Sequence, residues 1–104
     1  MDVLWLAVPA VFNADELARA CGMEPAWVHM HLEAETLRAD EVDGAWRFDS
    51  FGLVRARRIA HLELTFDADP QLAALTVDLL EEVALLRRQL QALRRDCEDE
   101  VLDT

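Results

Sequence analysis

The chain is expected to fold as a mainly α-helical protein, with a small β-wing between its second and third helices and a long helix at its C-terminal end. Three observations predict this. Only three Gly and three Pro occur in 104 residues, too few for a loop-rich or all-β chain. Apolar residues recur at helical spacing through most of the sequence. One dipeptide, Asp43-Gly44, stands between short stretches as a hairpin signal. Hydrophobic residues make up 53 % and charged ones 30 %, the profile of a packed chain and not of a disordered one.

Val3 to Val8 is apolar and reads as a short strand leading into the first helix. Asn13-Ala14-Asp15-Glu16 is a capping-box sequence, with Asn13 as N-cap and Glu16 reaching back from three residues on. Leu17, Ala18 and Cys21 form the buried stripe of that helix, and Gly22 stands where a left-handed stop is needed. A second helix is expected from Glu24-Pro25, through Trp27, Val28, Met30 and Leu32, to about Leu37. Two short helices joined by a Gly-containing turn make a helix-turn-helix.

Residues 38–49 break the helical pattern. Asp43-Gly44 joins Val42 to Ala45-Trp46-Arg47-Phe48, with Trp46 and Phe48 expected on one face of a β-wing. Asp49 or Ser50 caps a third helix carrying Leu53, Val54, Ala56, Ile59, Ala60 and Leu62 to about Phe66. Asp67-Ala68-Asp69-Pro70 ends it and opens a fourth, with Pro just inside the start. Leu79, Val83, Leu86, Leu90, Leu93 and Cys97 then alternate in steps of four and three, a heptad seam flanked by Arg87 and Arg94. Such a stripe calls for a partner, and a homodimer is expected. The acidic tail from Asp96 to Thr104 is expected to fray. This divides the chain into a domain over residues 1–66 and a dimerising helix with its tail over 67–104.

Charge limits the function classes. The net charge is −11, distributed as −7 over residues 1–49, +2 over 50–66 and −6 over 67–104. Most of the surface therefore repels a phosphate backbone and attracts basic partners. All ten basic residues are Arg, which is read as compositional bias and not as mechanism. The N-terminal apolar run has no basic residue before it and carries Asp2, so it does not read as a signal peptide. With no stretch of membrane-spanning length, a cytoplasmic protein is expected.

Catalysis and metal binding are not expected. His29 and His31, two apart on a helix, point to different faces and cannot share a metal. Cys21 and Cys97 lie far apart and read as reduced packing thiols. There is no Gly-rich phosphate loop, and the single Ser, Ser50, reads as a cap. The carboxylates lie in exposed-looking stretches, without the buried apolar setting that tunes an acid for catalysis. Trp5, Trp27 and Trp46 read as packing residues of core or wing. No cofactor, small-molecule substrate or membrane partner is implied.

The order helix-turn-helix, wing, helix, coiled-coil helix resembles the MerR-type regulators. Phe12-Asn13-Ala14-Asp15-Glu16-Leu17-Ala18 is similar to that family's opening helix, and Trp46-Arg47-Phe48-Asp49 to its wing exit. The Arg55–Asp67 stretch resembles the helix that follows. A divergent branch, the CbpM-type chaperone modulators, is closer. Its likeness rests on Trp46-Arg47-Phe48-Asp49, His61-Leu62-Glu63-Leu64, Asp69-Pro70, Ala74-Leu75-Thr76 and Glu81-Glu82, over about residues 10–93. This resemblance implies binding to the J-domain of a CbpA-type co-chaperone. It also implies inhibition of that co-chaperone's stimulation of Hsp70 (DnaK) and of its other activities.

The alternative is a MerR-type DNA-binding transcriptional regulator. Against it, His29, Met30 and His31 stand where those DNA binders carry an Arg and two Tyr, and Glu33 where another base is common. Nothing between Cys21 and Leu37 is Lys or Arg. Arg55, Arg57 and Arg58 would be phosphate clamps on that reading; paired with acids inside the domain or dimer, they are structural. Two acidic faces are candidates for a basic partner. One is Glu24, Glu33 and Glu35 with Asp40 and Glu41; the other, preferred as denser and beside the seam, is Asp67, Asp69, Asp78, Glu81 and Glu82.

Overall fold

The structure, a computed structural model, describes residues 11–103, with side chains as far as residue 98. The expected strand over Val3–Val8 and Trp5 lie outside the described residues. The chain divides into two units between Ala74 and Leu75.

In the first unit, α1 (Ala14–Cys21) opens on the expected capping box. The Asn13 side chain accepts from the Glu16 N–H at 2.8 Å, and the Glu16 carboxylate accepts from the Asn13 N–H at 3.0 Å. Two of the helix's otherwise orphaned donors are thus satisfied by the residues that start it. Gly22 closes it at φ 71°, a left-handed conformation that costs Gly little. The Met23 N–H then reaches the Ala18 carbonyl at 2.9 Å.

Helix α2 (Pro25–Glu33) begins at Pro25 as expected, but it stops four residues short of Leu37. Its end is a left-handed turn on a non-glycine residue, Glu35 at φ 59°. The N–H groups of Thr36 and Leu37 both return to the His31 carbonyl, at 3.0 and 3.3 Å. Leu37 is buried there. The apolar residue that extends the helical pattern in the sequence thus marks the loop's re-entry into the core.

Strands β1 (Asp40–Val42) and β2 (Ala45–Arg47) pair antiparallel, with Val42 opposite Ala45. Asp43 and Gly44 both take positive φ, 53° and 78°, the backbone of a two-residue hairpin turn. Trp46 and Phe48 differ in environment. Phe48 is buried, while Trp46 on the exposed hairpin remains open to solvent. A feature without a sequence signal ties this hairpin down: Phe12 and Phe48 exchange two backbone hydrogen bonds, each 2.8 Å.

Helix α3 (Ser50–Phe66) is capped by Asp49, whose carboxylate accepts from the Gly52 N–H at 2.8 Å. Ala56, Ile59 and Ala60 are its buried face, while Val54, expected among its apolar positions, is half exposed. Asp67 ends it in a left-handed turn. Helix α1 packs against both α2 and α3, so Leu17 and Ala18 meet no solvent at all.

Asp69 starts α4 (Pro70–Asp103) by accepting from the N–H groups of Gln71 and Leu72, at 3.0 and 3.3 Å. The second unit is the remainder of this helix, from Leu75. The tail expected to fray is helical to Asp103.

Candidate partner-binding surface

The helix in the position of a recognition helix, α2, is held by a buried polar cluster that the sequence reading missed. Trp27 and His31 lie one turn apart on α2, with ring centroids 4.6 Å apart in an edge-on arrangement. The Trp27 indole N–H donates to both carboxylate oxygens of Glu63 on α3, at 2.9 and 3.1 Å. The His31 Nε2–H donates to Glu63 Oε2 at 2.9 Å. On the ring's other side Nδ1 bonds Thr36 Oγ1, whose hydroxyl donates to the His31 carbonyl at 3.0 Å.

These side chains are shielded, His31 to 1 % and Glu63 to 12 % exposure. Among the described residues every buried side-chain nitrogen or oxygen has a partner. Glu63 corrects the expectation that carboxylates are solvent-facing: this one, on α3, accepts from two α2 side chains. Trp27 is half buried in the same place, a packing role with a polar handle.

Arg55 completes the clamp. Its Nε–H donates to the Thr36 carbonyl at 2.8 Å, fastening the loop that follows α2. The backbone acceptor is a contact that the sequence does not signal. Arg57 and Arg58 are exposed, while Arg55 is half-buried. Arg57 also acts on Cys21: burial pushes that thiol above its ordinary value, and the nearby guanidinium partly offsets the rise. Cys21 is a buried free thiol as expected, whereas Cys97, expected to be a packing thiol as well, is exposed on α4.

With α2 fixed, its outward face is defined. Glu24, Ala26, His29, Met30 and Glu33 are all exposed there, and none is Lys or Arg. His29 and His31 do face apart, one outside and one inside. The hairpin beyond presents Asp40, Glu41 and Asp43, with Arg38 and Arg47 as its basic residues.

The expected acidic face is distributed over both units. Asp67 and Asp69 belong to the first, where each ends or starts a helix, and Asp69's carboxylate is engaged by two backbone donors. Asp78, Glu81 and Glu82 belong to the second and are exposed along α4. The seam residues Leu79, Val83, Leu86, Leu90 and Leu93 are exposed as well. Among the described residues no group of three His, Cys, Asp or Glu could hold a metal ion. None of the described helices is long and apolar enough to cross a membrane.

Two short helices about a glycine turn, a hairpin and a clamped third helix define a helix-turn-helix regulator. The chain belongs to the MerR HTH family of regulatory proteins, whose family model matches residues 12–95. The match takes in both units, and such families are regulatory and in general not enzymatic. No curated protein matches the chain.

Proposed function

We propose that this protein is a chaperone modulator that binds the J-domain of a CbpA-type co-chaperone and withholds it from Hsp70. The observation that carries this reading is the outward face of α2, which offers two Glu and no cation where a DNA reader needs donors for phosphate and base edges. A family member with that face is better suited to a basic protein than to a nucleic acid. A J-domain engages its chaperone through a positively charged helix. The net charge of −11 complements such a helix, steering encounter and setting specificity.

The acids assigned to the contact are Asp78 and Glu81, three residues apart on one strip of α4, with Glu82 beside them. Exposed leucines next to that strip supply the apolar anchor that interfaces of charged residues need. The chain acts as a homodimer joined through the seam of α4, because a lone helix leaves that stripe in water. Nothing in this mechanism calls for a cofactor.

A second reading, sequence-specific DNA binding, is favoured by one observation: Arg57 and Arg58 are exposed side by side on α3. The two readings separate in a titration of the protein against a J-domain co-chaperone of the same cell, with duplex DNA as the control. Saturable binding to the J-domain that weakens with salt, and no binding to DNA, is the result expected. DNA binding retained at physiological salt without J-domain binding would reverse the ranking.

A further inference from the structure

Helix α3 shows solvent a face unlike the acidic surface elsewhere on the chain. Its buried side is Ala56, Ile59 and Ala60. On the other side Phe51, Val54, Arg58 and His61 follow one another in steps of three and four, and Arg57 and Leu64 lie in the adjoining row. All six are exposed. Phe51, at 86 %, is the most exposed large apolar side chain among the described residues, and Leu64 and Val54 stand at 66 % and 49 %. The face has apolar ends and a basic middle, over roughly 20 Å at 1.5 Å per residue.

Its charge is equally out of keeping with the rest. The chain has 21 acids against 10 Arg, yet this face has no acid at all. The single carboxylate of α3, Glu63, is taken up by Trp27 and His31. Among the described residues neither Arg57 nor Arg58 meets a carboxylate in an ion pair. Two adjacent guanidinium groups therefore stay uncompensated in a chain of net charge −11.

We propose that this face of α3 is the docking site for an acidic amphipathic helix of another protein. Charge complementarity sets the sign of the partner. The apolar ends set its form. A helix with an apolar stripe flanked by carboxylates covers Phe51, Val54 and Leu64 while its acids reach Arg57 and Arg58. Aromatic residues and Arg together are also the composition that protein interfaces favour. A phosphate backbone satisfies the two Arg residues but gains nothing from the three apolar side chains beside them. The inference goes beyond the J-domain reading. That partner is basic and is met by acids of α4, so the two partners do not compete for the same residues.

The test is fluorescence anisotropy with the full-length protein and a labelled peptide of about 16 residues, long enough as a helix to match the strip. The peptide contains Glu, Ala and Leu, with Leu at helical spacing; a scrambled peptide of the same composition keeps the charge and loses the stripe. Saturable binding that weakens with salt, and is about tenfold tighter for the patterned peptide, is expected. Phe51→Ser and Arg57→Glu/Arg58→Glu are each expected to weaken it by about tenfold. Urea unfolding should stay near that of the wild type, because all three side chains are exposed.

No binding of the patterned peptide at physiological salt, or equal binding of the two peptides, would overturn the proposal. Duplex DNA bound in the peptide's place, lost in the Arg variant and kept by Phe51→Ser, would overturn it in favour of a phosphate-binding face. A dimer that Phe51→Ser dissociates would overturn it in favour of a second copy. None of these results bears on J-domain binding, which keeps its own titration.

Discussion

The two units of this chain treat apolar surface in opposite ways. In the first, Leu17, Val28 and Ile59 are wholly removed from solvent, and the buried polar atoms among them are satisfied by Trp27, His31, Thr36 and Glu63. In the second, Leu79 and Leu93 remain 60 % and 62 % exposed on a continuous helix. Burial is the main favourable term in folding, at roughly 25 cal/mol per Å² of apolar surface. The first unit takes that gain within one chain. The second leaves its apolar stripe in water.

The sharpest way to break this contrast is to remove one leucine from each unit. Leu17→Ala opens a cavity where nothing else can fill it, and is expected to cost about 3 kcal/mol in urea unfolding. Leu86→Ala is expected to leave dilute-chain unfolding nearly unchanged while weakening self-association. Equal losses of stability would mean that the α4 leucines are already buried within the monomer.

The polar cluster comes next. Glu63→Ala leaves the Trp27 indole N–H and the His31 Nε2 without their acceptor inside the α2–α3 contact. Orphaning these groups is expected to destabilise the first unit by about 2 kcal/mol and to shift Trp27 fluorescence. A loss under about 0.5 kcal/mol, the scale of an exposed ion pair, would show that the cluster is hydrated.

A smaller effect separates the two thiols. Burial holds the Cys21 thiol above its ordinary value, so the unfolded chain ionises it first as pH rises. Its contribution to stability is complete below the ordinary thiol range and is lost progressively above it, up to the folded value. In dilute protein at pH 8, iodoacetamide is expected to modify exposed Cys97 well before Cys21. Equal rates would mean that α1 opens freely.

What could be read in the sequence was local. The Asn13–Glu16 box, the left-handed stop at Gly22, the Asp43-Gly44 turn and the Asp69-Pro70 start all depend on residues within a few positions of one another. The end of α2 was not legible in the same way. Glu35 takes a left-handed conformation usually given to Gly, and it is held there by bonds to the His31 carbonyl and by burial of Leu37. The Phe12–Phe48 bridge and the Trp27–Glu63 bonds join residues 36 positions apart, which no periodicity reveals. For the same reason Glu63 looked like any surface acid on an amphipathic helix. The candidate contact acids were visible as charge, but their division between two units was not.

The central claim, that the acidic surface serves a protein partner, is tested most directly in a coupled assay. The ATPase of an Hsp70 is stimulated by its J-domain co-chaperone, and this protein is then added at rising concentration. Stimulation is expected to fall saturably to the basal rate, with the basal rate itself unchanged, and Asp78→Lys/Glu81→Lys is expected to weaken the effect most at low salt. Undiminished stimulation at a large excess of the protein would contradict the account.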